Sequence, residues 1–187
     1  MTISNETQSG TTSRWQLDPG HTLVEFSGKH MFTTVKGHFK TVQGTILLDE
    51  ADPSRSSVQV EIQANSLYSA LDYRDNHLKS PDFLDVENFP TITFKSTRVE
   101  PEGNDHAKVI GNLTIHGVTR EVVLDTQLTG RGKHPMTGGE VAGFEAKTSI
   151  NRKDFGLTWN RALETGGFLV GDVIKIEIAT EGLKQAS

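Results

Sequence analysis

Alternation of apolar and polar residues is the dominant pattern along this chain. In several segments an aliphatic or aromatic residue occupies every second position, with charged or amide side chains between, as in residues 58–63 and 174–178. This period is typical of β-strands with one buried and one hydrated face. Turn-forming glycine, proline, asparagine and aspartate recur between the segments, and together they predict about eight to ten short antiparallel strands, enough to close a barrel.

The apolar parity of each strand predicts which side chains point into that barrel. We expect an all-β fold, an extended antiparallel barrel with one or two short helices in its connections. The residues expected to face its interior and line a cavity are Val24, Phe26, Val58, Val60, Ile62, Phe94, Leu113, Ile115, Phe144 and Ile176.

Two longer connections, residues 65–86 and 158–171, interrupt the alternation. Connections of this length are uncommon between the strands of a compact meander. They are expected either to cap the barrel ends or to form the mouth of a binding cavity. Trp159 begins the later connection, and its large amphipathic ring suits the boundary between an apolar cavity and water, as a lid with residues 168–170 or as a plug.

The earlier connection contains a polar helix signature. Asp72 is predicted to cap the helix, Asp75 to occupy the third helical position and to pair with Lys79, and Pro81 to end the helix.

This helix places Arg74, His77 and Leu78 on one face. An arginine and a histidine directed at an apolar barrel would suit a polar or anionic head on a greasy ligand. Arg74 needs a partner. The candidates are nearby carboxylates or a ligand phosphate, and a purely structural bond to a neighbouring loop is equally open; the carboxylates are Asp75, Asp82 and Asp85.

Composition narrows the possibilities further. The chain has 187 residues, a formal net charge of −5 and no cysteine. We expect one domain over residues 14–187 after a disordered tail over residues 1–13. Scattered basic residues in an acidic chain argue against nucleic-acid binding, and no run approaches the roughly 20 apolar residues of a membrane span. The absence of cysteine excludes disulfides and thiolate chemistry, and is consistent with a cytoplasmic location.

Metal and catalytic signatures are not legible in the sequence. The seven histidines are dispersed, without the spacings of a local metal site, so we expect no metal. No nucleophile motif or nucleotide-binding loop is present, and no cofactor is expected. His30 shares the parity of Val24 and Phe26, which favours either a buried structural histidine or a ligand contact.

Six ordered blocks resemble the YceI-like family of polyisoprenoid-binding, lipocalin-like proteins. The resemblance extends over about residues 14–183 and is carried by residues 15–22, residues 29–31 with 35–39, and residues 74–83, 89–96, 111–119 and 150–157. It implies a barrel whose elongated cavity takes an isoprenoid or fatty-chain amphiphile, often in a homodimer. Many relatives begin with a signal peptide; this sequence shows no such pattern at its start, so cytoplasmic binding is the expectation.

The leading hypothesis is therefore non-catalytic binding, storage or transport of a long-chain isoprenoid or related lipid. Leu78 and Trp159 are added to the apolar lining, and the polar head is assigned to His30, Arg74, His77 and Asn160. The rival hypothesis is an enzyme acting on a lipid or small apolar metabolite, with His30 or His77 as base. A third possibility is a barrel filled by its own side chains.

Overall fold

The computed structural model describes residues 12–187, which form one antiparallel sheet and one α-helix. The helix, α1 (Asp72–Lys79), lies between the sixth and seventh strands. The strands are β1 (Thr12–Leu17), β2 (Leu23–His30), β3 (Thr33–Phe39), β4 (Val42–Asp49), β5 (Ser57–Gln63), β6 (Leu67–Tyr68), β7 (Thr91–Glu102), β8 (His106–Ile115), β9 (Val118–Lys133), β10 (Glu140–Asn151) and β11 (Val170–Lys184).

The sheet closes on itself through β11. One edge of β11 pairs with β10, and its other edge pairs with β2 and then, past a short turn, with β1. In the same way β4 pairs with β1, and β3 pairs with β2. On the other side, β5 pairs with β4, and β6 pairs with β3. Because β1 and β2 lie end to end along the same neighbour, as do β3 with β4 and β5 with β6, the eleven strands occupy eight positions around a closed antiparallel barrel. This confirms the predicted fold class.

The apolar faces of the strands meet inside this barrel. Buried core residues come from nearly every stave, and less buried apolar residues pack against them. Every residue expected to face the interior except Phe144 belongs to one of these two groups. Phe144 is half-buried and shares the strand face of buried Ile150.

The helix forms where it was predicted, but its cap differs. Leu71 occupies the N-cap position in an extended conformation, and Asp72 is the first helical residue. The Asp75 carboxylate accepts hydrogen bonds from the backbone and side chain of Ser69, so the preceding segment, and not Lys79, is its partner. The predicted Asp72 cap is wrong because Leu71 occupies the cap position, and the predicted Asp75–Lys79 pair is wrong because Ser69, in the loop before the helix, binds the Asp75 carboxylate.

The chain enters the sheet earlier than expected. Thr12 and Ser13 belong to β1, and Ser13 Oγ accepts a hydrogen bond of 2.7 Å from Trp15 Nε1. The boundary of the predicted tail at residue 13 is therefore two residues too late, and the remainder of that tail lies outside the described residues.

Two interior phenylalanines lie directly over glycines of the neighbouring strands. The ring of Phe26 covers Gly37, and the ring of Phe94 covers Gly111. A Cβ at residue 111 would lie 2.5 Å from the Lys95 carbonyl oxygen and 2.6 Å from the Phe94 ring. The absence of a side chain at Gly111 is thus what lets the two strands and the ring approach each other.

Replacing Gly111 by alanine is expected to lower the free energy of unfolding by about 1–3 kcal/mol, because the contacting backbone cannot move aside freely. Urea unfolding measures the change. Gly132→Ala is the matched control, since a Cβ there meets nothing within 4 Å. Equal stability of the two variants would contradict this account of the strand contact.

Candidate ligand site at the helix-covered end of the barrel

Arg152 organises the long connection between β10 and β11. Its side chain is 2% exposed. Nε donates to the Gly171 carbonyl at 2.9 Å, and Nη1 donates to the carbonyls of Leu157 at 2.6 Å and Trp159 at 2.9 Å. One guanidinium therefore binds backbone carbonyls from both ends of the connection, and its planar set of N–H donors allows these bonds to form together.

The electrostatics of Arg152 follow from its burial. Desolvation lowers the pKa of its guanidinium, while Asp172, 3.6 Å away, raises it. An arginine of this kind stays charged at neutral pH. Because its donors are directed at backbone carbonyls, Arg152 holds the shape of the barrel end.

Asn160 closes the tip of the same connection. Its Nδ2 donates to the Val170 carbonyl at 2.8 Å, and its Oδ1 accepts from the amides of Arg161 and Val170. Residues 161–169 consequently form a small hairpin with a bridge between Ala162 and Phe168. The amide predicted for a ligand head group is occupied by the backbone of its own loop.

Trp159 joins this connection to α1 through an aromatic cluster. The Trp159 ring centroid lies 4.6 Å from that of His77 and 5.3 Å from that of Phe83, and the His77–Phe83 distance is 5.1 Å. His77 Nε2 is 2.8 Å from a carboxylate oxygen of Asp82. Trp159 thus lies at the barrel end, where the sequence predicted it, and its contact with the helix was not predicted. His77 has an acidic partner that spacing had not revealed.

Arg74 is bonded to Ser69. Its Nε donates to Ser69 Oγ at 2.7 Å, and its Nη2 donates to the Ser69 carbonyl. Ser69 donates in turn to Asp75, with its amide 2.8 Å from the carboxylate. Direct pairing of Arg74 with a carboxylate was the wrong expectation. The bonds correspond to the structural alternative, in which Arg74 fixes the helix to the preceding loop.

His30 is exposed at the last position of β2. Its strand neighbours are Thr33 and Val170. The expectation of a buried histidine is wrong. His30 lies on the same strand face as Val24 and Phe26, but the core no longer covers that face at the end of the strand. His30 therefore lies on the rim of the barrel.

The interior of the barrel is lined by apolar side chains, several of which keep accessible surface. Leu78 of α1 packs against the core, so the helix covers this end. Phe26, Val60 and Ile176 point inward from the middle of their strands yet are only partly buried. Inward side chains that retain accessible surface require neighbouring space that admits water-sized molecules.

Two pockets are lined by polar as well as apolar side chains. One of about 420 Å³ lies among β2, β9, β10 and β11, where the charged side chains of Glu25, Lys147 and Glu177 occur beside Ile178, an apolar residue that packs against the core. The other, of about 610 Å³, lies beside α1 and contains Lys40 and Lys79. Their polar surroundings differ from the apolar surface that was predicted to bind a lipid.

Asp18, His21 and Glu181 bring possible metal-ligand atoms within 4.8 Å of one another. Sequence spacing did not reveal this group, because Glu181 comes from β11 and the other two from the turn after β1. His21 Nδ1 lies 2.8 Å from Asp18 Oδ2 and 3.7 Å from Glu181 Oε2. These contacts with acidic neighbours raise the pKa of His21, and the hydrogen bond to His21 lowers that of Asp18.

Sequence reasoning missed Arg152 and Ser69 as organisers of the site. A signal for Arg152 was present, since Asn151, Arg152 and Gly156 lie where a strand pattern stops. Asn151 accepts from Lys153 N, and Gly156 has a φ of 75° that favours glycine. A charged residue in such a compact turn is a candidate for bonding loop carbonyls.

Arg152→Met is expected to destabilise the protein by about 3–5 kcal/mol, because it leaves carbonyl groups buried without their donor. Lys153→Met is the control. Its ammonium forms an exposed pair with Asp172 at 3.1 Å, and such a pair contributes less than about 1 kcal/mol. Denaturant unfolding that ranked Lys153→Met as the more damaging change would overturn the role of Arg152.

Titration of His21 followed by NMR is expected to give a pKa above the ordinary 6.5, returning toward it in Asp18→Asn. Because the folded-state pKa is raised, the stabilisation is present below the unfolded pKa and is lost as pH rises through the folded value. A His21 pKa that Asp18→Asn leaves unchanged would contradict the hydrogen bond as its main cause.

Comparison with known proteins agrees with this architecture. The family description "YceI-like domain" matches residues 15–182. A protein named YceI from Salmonella arizonae is 37% identical over 182 residues, covering 96% of this chain and 91% of its own.

Solved structures share the fold. Burkholderia cenocepacia BcnA superposes with a TM-score of 0.78 at 22% identity, covering 88% of this chain and 98% of its own. A polyisoprenoid binding domain from Saccharophagus degradans, described as implicated in plant cell wall breakdown, gives 0.65 at 14% identity, with 95% and 100% covered. These two likenesses concern the fold, whereas the sequence matches establish the relationship: the chain belongs to the YceI-like family.

Proposed function

We propose that the barrel binds a long-chain isoprenoid or similar amphiphilic lipid in its interior, for storage or transport and without chemical conversion. The single observation that carries this proposal is the apolar interior, in which inward mid-strand residues keep accessible surface. The polyisoprenoid-binding description of one structural neighbour supports the same ligand class.

The energetics favour a chain over a compact polar metabolite. Burial of each methylene contributes about 0.8 kcal/mol, so a long chain gains affinity from length alone. Aliphatic side chains such as Val58, Val60 and Ile176 offer dispersion contacts but no directional bonds. A lining of this kind selects for apolar length and leaves recognition of the head to the barrel end.

The head group is placed beside α1 in this proposal. His77 is half-buried, with its ring edge against Trp159, and Arg74 is partly buried at the start of the same helix. His30 is exposed on the rim. These cationic or titratable side chains would meet a polar or anionic head, while Asn160 would shape the loop around it.

The decisive experiment is mass spectrometry of lipids extracted from the purified, denatured protein. A polyprenyl or fatty-chain compound in near-stoichiometric amount is the expected result. Protein without lipid that also fails to take up a polyprenyl lipid after delipidation would leave the filled barrel as the better account.

Val60→Trp is expected to reduce lipid uptake by occupying interior space, at a stability cost of about 1–3 kcal/mol from overpacking. Val123→Trp is the matched control, because Val123 is 44% exposed on β9 and points outward. Uptake is measured by titrating delipidated protein with a fluorescent polyprenyl analogue. Undiminished uptake by folded Val60→Trp would place the ligand elsewhere.

A catalytic role keeps one specific observation in its favour, the pairing of His77 with Asp82 at 2.8 Å. A histidine oriented by a carboxylate can act as a general base. Extracted lipid that is recovered unchanged after long incubation with the protein supports binding, and a converted product that disappears in His77→Asn would support the enzyme.

We also propose that the protein forms a homodimer, as the family resemblance implies. Its proposed location is the cytoplasm, as the sequence predicts. No helix in the described part of the chain has the length and apolar character needed to cross a bilayer. Sedimentation equilibrium tests the dimer, and fractionation of cells producing the natural chain tests the location.

A further inference from the structure

We propose that the rim of the barrel at residues 31–32 and 168 docks onto an anionic lipid surface. The rim patch consists of Met31, Phe32 and Phe168. The proposal rests on the proposed function in one respect, because a carrier of membrane-derived lipid must collect its ligand from a bilayer. The docking surface itself is argued from exposure, geometry and charge.

The rim patch exposes three large apolar side chains on adjacent segments. Phe32 is 86% exposed, Phe168 is 64% exposed and Met31 is 44% exposed. Phe32 lies in the two-residue turn between β2 and β3, and Phe168 lies on the hairpin before β11. Grouped exposed aromatic residues mark interaction sites, whereas scattered ones are ordinary.

Backbone hydrogen bonds hold the two parts of the rim patch together. The Met31 amide donates to the Leu169 carbonyl at 2.9 Å, and His30 pairs with Val170 in the sheet. Asn160 and Arg152 fix the base of the hairpin that carries Phe168. The exposed rings therefore project from adjacent, braced segments, so docking would require little additional ordering.

The local charge beside the patch is positive, although the protein carries a net charge of −5. Lys29 shortly precedes Met31 and Phe32 in the chain, and the Arg161 carbonyl accepts from the amide of Leu169, next to Phe168. Glu164 is the carboxylate on the hairpin itself, whereas Lys36 is paired with Glu25 at 3.6 Å and Asp172 with Lys153 at 3.1 Å. Cations beside protruding apolar side chains complement anionic headgroups, since the rings enter the interfacial region while the charges remain at its surface.

This combination favours a bilayer over a second copy of the chain. Two phenyl rings at separate loop tips suit insertion between headgroups, whereas a stable protein interface needs a broad complementary surface. A second copy of the chain has a net negative charge that would attract the local cations. Its apolar contacts, however, would have to come from its own copy of the same small patch. Because the rim patch lies at the barrel end that carries Trp159 and α1, docking there would bring the lipid surface next to them.

The test is co-sedimentation with vesicles of phosphatidylcholine containing a minority of phosphatidylglycerol. The double variant Phe32→Ser with Phe168→Ser is compared with Met136→Ser. Met136 is 89% exposed in the turn between β9 and β10, at the other end of the barrel. We expect vesicle binding to fall by about tenfold or more in the double variant and to stay unchanged in Met136→Ser.

Each variant is also loaded with a polyprenyl analogue delivered from cyclodextrin, without vesicles. Retained uptake with lost vesicle binding supports docking through the rim patch. Vesicle binding that is absent in the unmodified protein, or equal in the double variant, overturns the proposal. Loss of self-association in the double variant, seen by sedimentation without a vesicle effect, would assign the patch to a second copy. Failure of uptake by every protein, with vesicle binding intact, refutes the proposed function and leaves docking supported.

Discussion

Closure of the sheet along β11 is the constraint on which the rest of the structure depends. This strand pairs with β10 along one edge and with β2 and β1 along the other. An open antiparallel sheet of this length would expose unpaired backbone groups at both edges, and closure removes them. It also places the apolar faces of all staves around one interior, so the barrel and its lining are consequences of the same pairing.

Closure leaves the barrel end to be shaped by polar side chains. Arg152 gathers the carbonyls of Leu157, Trp159 and Gly171, and Ser69 links Arg74 to Asp75 at the start of α1. The two assemblies meet through the rings of His77 and Trp159. Polar and charged side chains thereby fix a connection of irregular backbone, because they satisfy its carbonyls and amides.

The same arrangement separates two kinds of surface. Apolar side chains line the interior, and polar groups used for structure surround its covered end. Several residues that attract attention as ligand contacts, notably Arg74 and Asn160, have bonds to their own loops. In the proposed function, those bonds maintain the space and shape of the site, and the ligand head would be met by polar atoms that remain accessible, such as those of His30 on the rim.

Sequence periodicity determined the fold class and most of the interior. Alternation over Val58–Val60–Ile62 and Ile174–Ile176–Ile178 sufficed because strand geometry turns every second residue to the same face. Sequence could not determine the partner of Asp75, the exposure of His30 or the gathering of Asp18, His21 and Glu181. The partner of Asp75 depends on how the loop before the helix folds back, and the exposure of His30 on where a strand ends relative to its neighbours. The group of Asp18, His21 and Glu181 depends on segments far apart along the chain. Local spacing fixes the face on which a side chain lies, but only the closed tertiary structure decides which groups meet there and how much water reaches them.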